Sequence, residues 1–290
     1  MILVFGKNGQ LGQELTRCAA DRGVALIALS RSDADVADPA QVEAAIARHS
    51  PDIVVNAAAY TNVDQAEDEY ELALRANGHG PAILAAACRD ANLPLIHIST
   101  DYVFDGTKRG PYTETDPIAP IGAYGRTKAK GEAAIRDTWF KHVIIRTAWV
   151  YGEFGRNFLK TILRLARERD ELRIVADQHG CPTSTGTIAS AILSIAPRLC
   201  EDDGLWGTYH FSGSGVTSWH GFAERIVAAQ SRHTRRNPPV IPIATQDYPT
   251  KAVRPANSAL DCNLFTSVFG ITPEPWMIET ERITDALLRA

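Results

Sequence analysis

Apolar residues in the first half of the chain occur in short runs that alternate with helical patterns. The runs at residues 2–5, 25–29, 53–56, 95–98 and 143–146 predict strands, and amphipathic patterns over 13–22, 40–49, 78–91 and 123–135 predict helices. The strand runs are apolar throughout, which is typical of a parallel sheet that is covered by helices on both faces. The pattern therefore predicts an α/β fold with a doubly wound, Rossmann-type parallel sheet and a ligand crevice at the carboxyl ends of its strands.

The first predicted strand is followed by a glycine-rich turn, Gly6-Lys7-Asn8-Gly9-Gln10-Leu11-Gly12. Between a strand and a helix, the spacing G-x-x-G-x-x-G predicts a dinucleotide site with the pyrophosphate at the helix N-terminus. Gly6 would permit the tight turn, Gly9 would let the backbone approach the pyrophosphate, and Gly12 would allow close packing of helix on strand. The cofactor-binding residues predicted here are Gly6, Gly9, Gln10, Leu11 and Gly12.

The second predicted strand ends at Ser30-Arg31, where an acidic residue usually binds the free 2′-hydroxyl of NAD. Arg31 could instead pair with a 2′-phosphate, with Ser30 as an added donor, so the sequence favours NADPH over NADH. A solvated surface arginine is the alternative. We expect Asp35 and Val36 beside the adenine, with the carboxylate of Asp35 accepting a hydrogen bond from its amino group.

Tyr124 precedes Lys128 by one helical turn, so the phenol and the ammonium lie on the same face of a helix. This spacing also arises by chance, but a nearby cation lowers the pKa of a tyrosine and so suits it to acid–base chemistry.

Two further segments follow the strands predicted at residues 53–56 and 95–98, at the same edge of the sheet. The first supplies the predicted cofactor-binding residues Ala59, Tyr60 and Thr61, and the second supplies the hydroxyl of Thr100.

The βα alternation ends after Gly152, and longer helices and loops follow. Asn157 opens a predicted helix, residues 177–183 form a polar loop before another helix, and residues 209–211 predict a strand. We expect an NAD(P)-binding Rossmann domain over residues 1–152. Residues 153–290 would form a smaller, mainly substrate-binding region, with some elements returning to the first domain.

Composition fits an ordinary globular enzyme with a sizeable core, since 45% of the 290 residues are hydrophobic and 22% are charged. A formal net charge of −4 without long basic runs argues against nucleic acid or a membrane as a partner. We expect a cytoplasmic protein, because the first strand begins at Ile2 and no apolar segment could span a bilayer. His97 lies within an apolar strand and is expected to be a core residue. Glu279 and Glu281 are expected to lie on a solvated face of a helix.

The glycine turn, the Asn-Ala-Ala-Ala segment, Ser-Thr-Asp at a strand end and Tyr-x-x-x-Lys together resemble the extended short-chain dehydrogenase/reductase superfamily. More narrowly, residues 6–12, 99–106, 146–152 and 254–258 resemble the dTDP-4-dehydrorhamnose reductase family, and the likeness covers almost the whole chain. The resemblance implies reduction of the 4-keto group of dTDP-4-dehydro-L-rhamnose by NAD(P)H. Tyr124 would donate the proton, Lys128 would bind the nicotinamide ribose, and Thr100 would donate a hydrogen bond to the ketone oxygen.

The predicted substrate-binding residues are Thr100, Asp101, Trp149, Asn157 and Arg254. Trp149 would cover the apolar side of the sugar, with a core tryptophan as the alternative. Arg254 would pair with the diphosphate, with a structural ion pair as the alternative. The resemblance also implies Mg²⁺ at a subunit contact, although no carboxylate cluster can be assigned to it. The expected partners are the dTDP-sugar and, in a homodimer, a second copy of the chain.

Two other functions stay open. A nucleotide-sugar epimerase of the same superfamily would use the same Tyr, Lys and Thr residues and would hold its nicotinamide tightly. A dehydratase is disfavoured, because Tyr102 stands where such an enzyme carries a glutamate base. A non-catalytic, dinucleotide-binding regulatory subunit shares the fold, but it would have no need of Thr100, Tyr124 and Lys128 together.

Overall fold

The structure, a computed structural model, describes residues 1–202 and 204–289; residues 203 and 290, which fall in the second predicted region, lie outside it. Its strands are β1 (Ile2–Phe5), β2 (Leu26–Leu29), β3 (Ile53–Asn56), β4 (Leu95–Thr100), β5 (His142–Thr147), β6 (Val150–Tyr151), β7 (Leu172–Val175), β8 (His179–Gly180), β9 (Thr183–Ser184), β10 (Gly207–His210), β11 (Thr217–Ser218) and β12 (Val240–Ile243).

Within the described residues, ten α-helices accompany these strands. They are α1 (Gln10–Asp21), α2 (Pro39–His49), α3 (Tyr70–Leu74), α4 (Gly80–Asp90), α5 (Ala123–Thr138), α6 (Phe158–Glu168), α7 (Thr185–Glu201), α8 (Trp219–Thr234), α9 (Asn263–Phe269) and α10 (Trp276–Arg289). A π-helical turn, Arg75–His79, joins α3 to α4. It precedes Pro81, which has no N–H for an ordinary helical hydrogen bond.

Six parallel strands form the central sheet in the order β10-β5-β4-β3-β1-β2. The chain runs from β1 to β2 at one edge and then crosses back to β3 on the other side of β1. This reversal creates a crevice between the carboxyl ends of β1 and β3. The predicted doubly wound fold is confirmed.

Both faces of the sheet are buried, which explains why its strands are apolar throughout. In β1, Ile2 and Val4 pack into a core cluster with α1 and α7, whereas Leu3 and Phe5 pack into a second cluster with α2 and α4. The strand predicted at residues 209–211 is β10, and it extends the main sheet beside β5.

A smaller lobe has its own core, in which residues of α6, α8 and α10 surround Tyr151 and Trp276. Strands β7 and β12 pair in parallel beside it. Three elements of the second region, α7, β10 and α9, pack against the main sheet. The division of the chain at residue 152 stays a prediction. Among the described residues, no helix combines the length and apolarity needed to cross a membrane.

Candidate active site

A cleft of about 770 Å³ lies across the carboxyl ends of the sheet strands. Most of the predicted site residues line it: Gly6, Gly9, Gln10, Leu11, Ser30, Arg31, Asp35, Val36, Ala59, Tyr60, Thr61, Thr100, Asp101, Tyr124, Lys128, Trp149 and Asn157. Two others are not among its lining residues, namely Gly12 and Arg254. The fold thus brings together groups as far apart in the chain as Gly6 and Asn157.

The glycine turn forms one end of the cleft. Gly6 has φ +105°, and a Cβ at this position would lie 2.6 Å from the amide nitrogen of Ala58. A Cβ on Gly12 would lie 2.2 Å from the carbonyl oxygen of Gly6, so Gly12 serves the packing of α1 rather than the cleft. Within the described residues no side chain caps the N-terminus of α1. Its N–H groups and the positive end of its dipole therefore fit a pyrophosphate.

Three charged residues mark the end of the cleft beyond β2. The carboxylate of Asp35 accepts from Arg31 Nε at 3.3 Å and from Arg75 at 3.0 Å. The predicted contact of Asp35 with an adenine amino group would compete with these ion pairs. Ser30 also differs from expectation, because its hydroxyl donates to the carboxylate of Asp33 at 2.7 Å. Arg31 and Arg75 remain largely exposed and can turn toward an anion.

Helix α5 places Tyr124 and Lys128 on the wall of the cleft, one turn apart. The ring of Tyr124 packs edge-on against Tyr102, with 6.0 Å between ring centroids. Lys128 is buried, and its Nζ donates to the carbonyl oxygen of Ile98 at 2.6 Å. The phenol is thus held by packing, and the amine by a backbone hydrogen bond.

The expected effect of Lys128 on Tyr124 is not seen. Burial raises the pKa of Tyr124 to about 12, and a hydrogen bond with Thr100 opposes that rise only in part. Burial also lowers the pKa of Lys128 to about 8, against the opposing charge of Glu132. Burial dominates the pKa of both groups, and the lowering of the tyrosine pKa by Lys128 stays a prediction. Tyr124 is therefore protonated at neutral pH.

Thr100 is the last residue of β4, and its hydroxyl forms hydrogen bonds with the two residues that follow it. Its Oγ1 donates to Asp101 Oδ1 at 2.9 Å and accepts from the N–H of Tyr102 at 3.2 Å. The expected donation to a ketone oxygen would require this hydrogen to leave Asp101. Asp101 is buried, and its Oδ2 has no hydrogen-bond partner in the described part of the chain. Burial raises the pKa of Asp101 to about 7.

Trp149 and Asn157 lie where the smaller lobe meets the cleft. Trp149 has φ +46° and stacks on Trp219 with 3.5 Å between ring centroids, so at most one of its faces is free for a sugar. Asn157 caps α6 by accepting from the N–H of Lys160, and its amide donates to Gln10 at 2.9 Å. Its side chain therefore links the lobe to the glycine turn.

Arg254 is held in a bidentate ion pair with Asp64, at 2.7 and 3.1 Å. This is the structural alternative that the sequence left open, and the pairing lowers the pKa of Asp64. Tyr102 lies close enough for the charge of Arg254 to act on its phenol. Arg254 thus lies near Tyr102 but is not among the residues that line the cleft.

The acidic residues near the C-terminus are not the solvated face that the sequence suggested. Glu279 is buried, accepts from Ser184 at 2.6 Å and pairs with Arg282 at 2.9 Å. Glu281 pairs with two arginines of α8. No group of three or more metal-binding side chains occurs within residues 1–202 and 204–289. The Mg²⁺ ion that the resemblance implied at a subunit contact is therefore not supported by a ligand cluster within these residues.

Sequence reasoning missed several lining residues, of which Arg75, Arg156 and Trp219 carry charge or aromatic surface. Arg75 lies in the π-helical turn and Arg156 in the loop before α6, and no local motif marks either of them. Trp219 is the first residue of α8, and the stacking partner of Trp149 is 70 residues away in sequence. Only the fold could place these residues.

The sheet order and the Tyr124–Lys128 pair place the chain among the nicotinamide-dependent short-chain dehydrogenases/reductases. A family model described as "RmlD substrate binding domain" matches residues 1–289. A dTDP-4-dehydrorhamnose reductase from Sinorhizobium fredii is 44% identical over 99% of this chain and 97% of its own length. The chain belongs to the dTDP-4-dehydrorhamnose reductase family.

Solved structures support this assignment. A dTDP-4-dehydrorhamnose reductase from Clostridium acetobutylicum superposes with a TM-score of 0.91 at 37% identity, covering 99% of each chain. The enzyme of the same name from Bacillus anthracis, in complex with NADP, gives a TM-score of 0.90 at 34% identity over 98% of each chain. A UDP-glucose 4-epimerase from Brucella ovis, at 20% identity and a TM-score of 0.82, shares the fold alone.

Proposed function

We propose that the protein reduces the 4-keto group of dTDP-4-dehydro-L-rhamnose with NAD(P)H and so forms dTDP-L-rhamnose. The observation that carries this proposal is the meeting of Tyr124, Lys128 and Thr100 in one cleft with the glycine turn. The relatives supply the substrate class, because the reductases of Sinorhizobium fredii and Aggregatibacter actinomycetemcomitans carry that activity in their names.

A bound nicotinamide would supply the hydride. Hydride addition to a ketone develops negative charge on its oxygen, so the protein must supply a proton and hydrogen bonds there. Tyr124 is the proton donor, since its high pKa keeps the phenol protonated until the developing alkoxide takes the hydrogen. Thr100 would turn its hydroxyl from Asp101 to the same oxygen, and Lys128 would bind the nicotinamide ribose.

The end of the cleft beyond β2 favours NADPH over NADH. Arg31 and Arg75 both pair with Asp35 Oδ2, and both side chains are largely exposed. A 2′-phosphate placed there would exchange one shared carboxylate for a dianion, which guanidinium groups bind with charge-assisted hydrogen bonds. Ser30 would add its hydroxyl if that group turned away from Asp33.

The mainly substrate-binding region, residues 153–290, would hold the substrate together with Asp101 and Trp149 of the first region. The face of Trp149 that does not stack on Trp219 would cover the sugar, and Asp101 would bind a sugar hydroxyl through its unpaired oxygen. Asn157 would act mainly by fixing α6 against Gln10. Arg254 would reach a diphosphate only by leaving Asp64.

The test is the loss of NADPH absorbance when purified protein meets dTDP-4-dehydro-L-rhamnose, generated from dTDP-glucose by a dehydratase and a 3,5-epimerase. We expect oxidation that depends on the substrate and is absent with Lys128→Met, a variant in which one member of the catalytic set is removed. Failure to oxidise NADPH, with cofactor binding shown by fluorescence, would contradict the proposal. Tightly retained nicotinamide would then favour an epimerase, and a co-purifying enzyme would favour a regulatory subunit.

A further inference from the structure

Two tryptophans from distant parts of the chain stack on each other in the wall of the cleft. The rings of Trp149 and Trp219 are parallel within 5°, with 3.5 Å between their centroids. Both residues are partly buried and both line the cleft. Trp149 lies in the link between β5 and β6, whereas Trp219 is the first residue of α8. The stack therefore joins the edge of the main sheet to a helix of the smaller lobe.

The backbone of Trp149 adopts a conformation that needs support from its surroundings. Its φ of +46° lies in the left-handed region, which a bulky side chain rarely enters. A residue keeps such a conformation only where the rest of the structure fixes it, and residues of this kind occur often at ligand sites. The contacts of the indole must therefore stabilise the backbone of Trp149.

Trp219 provides one of these contacts from a well-anchored position. Its ring also packs against Phe158 of α6, with 4.7 Å between centroids, and against the core of the smaller lobe. The start of α8 is fixed as well, because Ser218 caps the helix by accepting from the N–H of Gly221 at 3.1 Å. Trp219 thus offers Trp149 a surface whose place is set by other parts of the lobe.

The indole of Trp149 also lies against a gap at Gly180. A Cβ at this position would lie 2.5 Å from Cε2 of Trp149 and 2.6 Å from its Nε1, so only glycine leaves room for the ring. Gly180 belongs to β8, and in the pairing of β8 with β11 it lies opposite Thr217. The same pair of strands therefore carries the gap and leads directly into Trp219.

We propose that Trp219 is a positioning residue, which holds Trp149 in its left-handed conformation so that the indole presents apolar surface to the sugar of the substrate. This inference rests on the proposed function, since it requires a sugar nucleotide in the cleft. An aromatic ring can cover the C–H groups of a sugar. A ring that is fixed before binding does so at a smaller entropy cost. Trp219 would thus strengthen the binding of the sugar and leave the binding of the nucleotide unchanged.

The experiment compares the affinities of dTDP-L-rhamnose and dTDP by isothermal titration calorimetry. Saturating NADPH is present, because the product does not react with the reduced cofactor. Trp219→Leu should weaken dTDP-L-rhamnose about 5–10-fold and leave dTDP unchanged. The matched control is Trp206→Leu, since Trp206 is also partly buried but is not among the residues that line the cleft. It should change neither affinity.

A double-mutant cycle shows whether Trp219 acts through Trp149. Trp149→Ala should weaken dTDP-L-rhamnose at least as much as Trp219→Leu does. The double variant should then bind this ligand no more weakly than Trp149→Ala alone. Losses that multiply would show that Trp219 acts on the sugar by itself, and they would overturn the positioning role. An unchanged affinity in Trp219→Leu would overturn it as well.

Gly180→Ala tests the same arrangement without removing either indole. Gly180 does not lie in the left-handed region, so the added Cβ acts through its collision with Trp149. The affinity for dTDP-L-rhamnose should fall as it does in Trp219→Leu, while the affinity for dTDP stays constant. Should Trp219→Leu fail to fold, this variant decides, because an unchanged ratio of the two affinities overturns the proposal.

The binding measurements and the reductase assay fail independently. A protein that does not oxidise NADPH, but loses its preference for dTDP-L-rhamnose over dTDP in both variants, would contradict the proposed function alone. An active reductase whose preference ignores residues 180 and 219, or which shows no such preference in the wild type, would contradict the positioning role alone. In an active enzyme, Trp219→Leu should raise KM for the sugar nucleotide and leave the Kd for NADPH unchanged.

Discussion

Arg146 donates two hydrogen bonds to Glu132, at 3.0 and 2.7 Å, directly behind the candidate active site. Both residues are at most 1% exposed, and the hydroxyl of Ser99 donates to the same carboxylate at 2.6 Å. The pair joins β5 to α5 one turn beyond Lys128. The site therefore rests on a buried ionic contact that fixes the helix carrying Tyr124 and Lys128.

Glu132→Gln should lower the free energy of unfolding by about 3–5 kcal/mol, because it leaves the guanidinium of Arg146 buried without a countercharge. The measurement is urea unfolding followed by circular dichroism. Glu168→Gln is the matched control, since Glu168 forms an exposed ion pair with Arg164 and its loss should cost at most about 0.5 kcal/mol. Equal losses in the two variants would show that the buried pair does not anchor α5.

Tyr124→Phe should reduce kcat by about 10²–10⁴-fold, which is the usual contribution of general acid catalysis. The phenyl ring keeps the edge-on contact with Tyr102, so the Kd for NADPH should change little. Tyr248→Phe provides the control, because Tyr248 is exposed and lies outside the cleft. Near-normal kcat in Tyr124→Phe would remove this residue from the mechanism.

Asp101→Asn should stabilise the protein at neutral and alkaline pH. Burial raises the folded-state pKa of Asp101 from 3.8 to about 7, so the charged form disfavours folding. The variant and the wild type should be equally stable below about pH 4. Their difference should grow as the pH rises to about 7 and then stay constant, at no more than about 4 kcal/mol.

Unfolding free energies at several pH values from 4 to 8 measure this difference. Asp137→Asn, which removes an exposed carboxyl on α5, is the control and should show no such trend. A constant difference between Asp101→Asn and the wild type across this range would show that Asp101 is ionised in the folded protein throughout. Its unpaired oxygen would then need a partner other than a proton.

The elements that the sequence predicted well are those with local causes. The turn at Gly6 follows from a backbone conformation that side chains rarely adopt, and the parallel strands follow from runs that are apolar on both faces. The meeting of Thr100 with Tyr124 also follows from the sequence, because Thr100 ends β4 and Tyr124 lies in the first turn of the next long helix, α5, which begins at the same edge of the sheet.

The elements that the sequence could not predict depend on partners far along the chain. The hydroxyl of Thr100 donates to Asp101, and Arg254 is bound by Asp64, 190 residues away. Glu279 is polar and near the C-terminus, yet it is buried because Ser184 and Arg282 satisfy it. Polar side chains have several possible partners, and only the folded structure selects among them.

Arg31→Ala should weaken NADPH binding about 10–100-fold while changing NADH binding little, because a hydrogen bond to a charged group is worth about 1.5–3 kcal/mol and NADH lacks the 2′-phosphate. The measurement is fluorescence titration with each cofactor at constant ionic strength. Arg89→Ala is the control, since Arg89 pairs with Asp90 outside the cleft. Arg75→Ala should show the same selective loss, because Arg75 pairs with the same oxygen of Asp35 as Arg31 does. Equal losses for both cofactors would instead assign the two arginines to holding Asp35, and the preference for NADPH would then have to come from another part of the cleft.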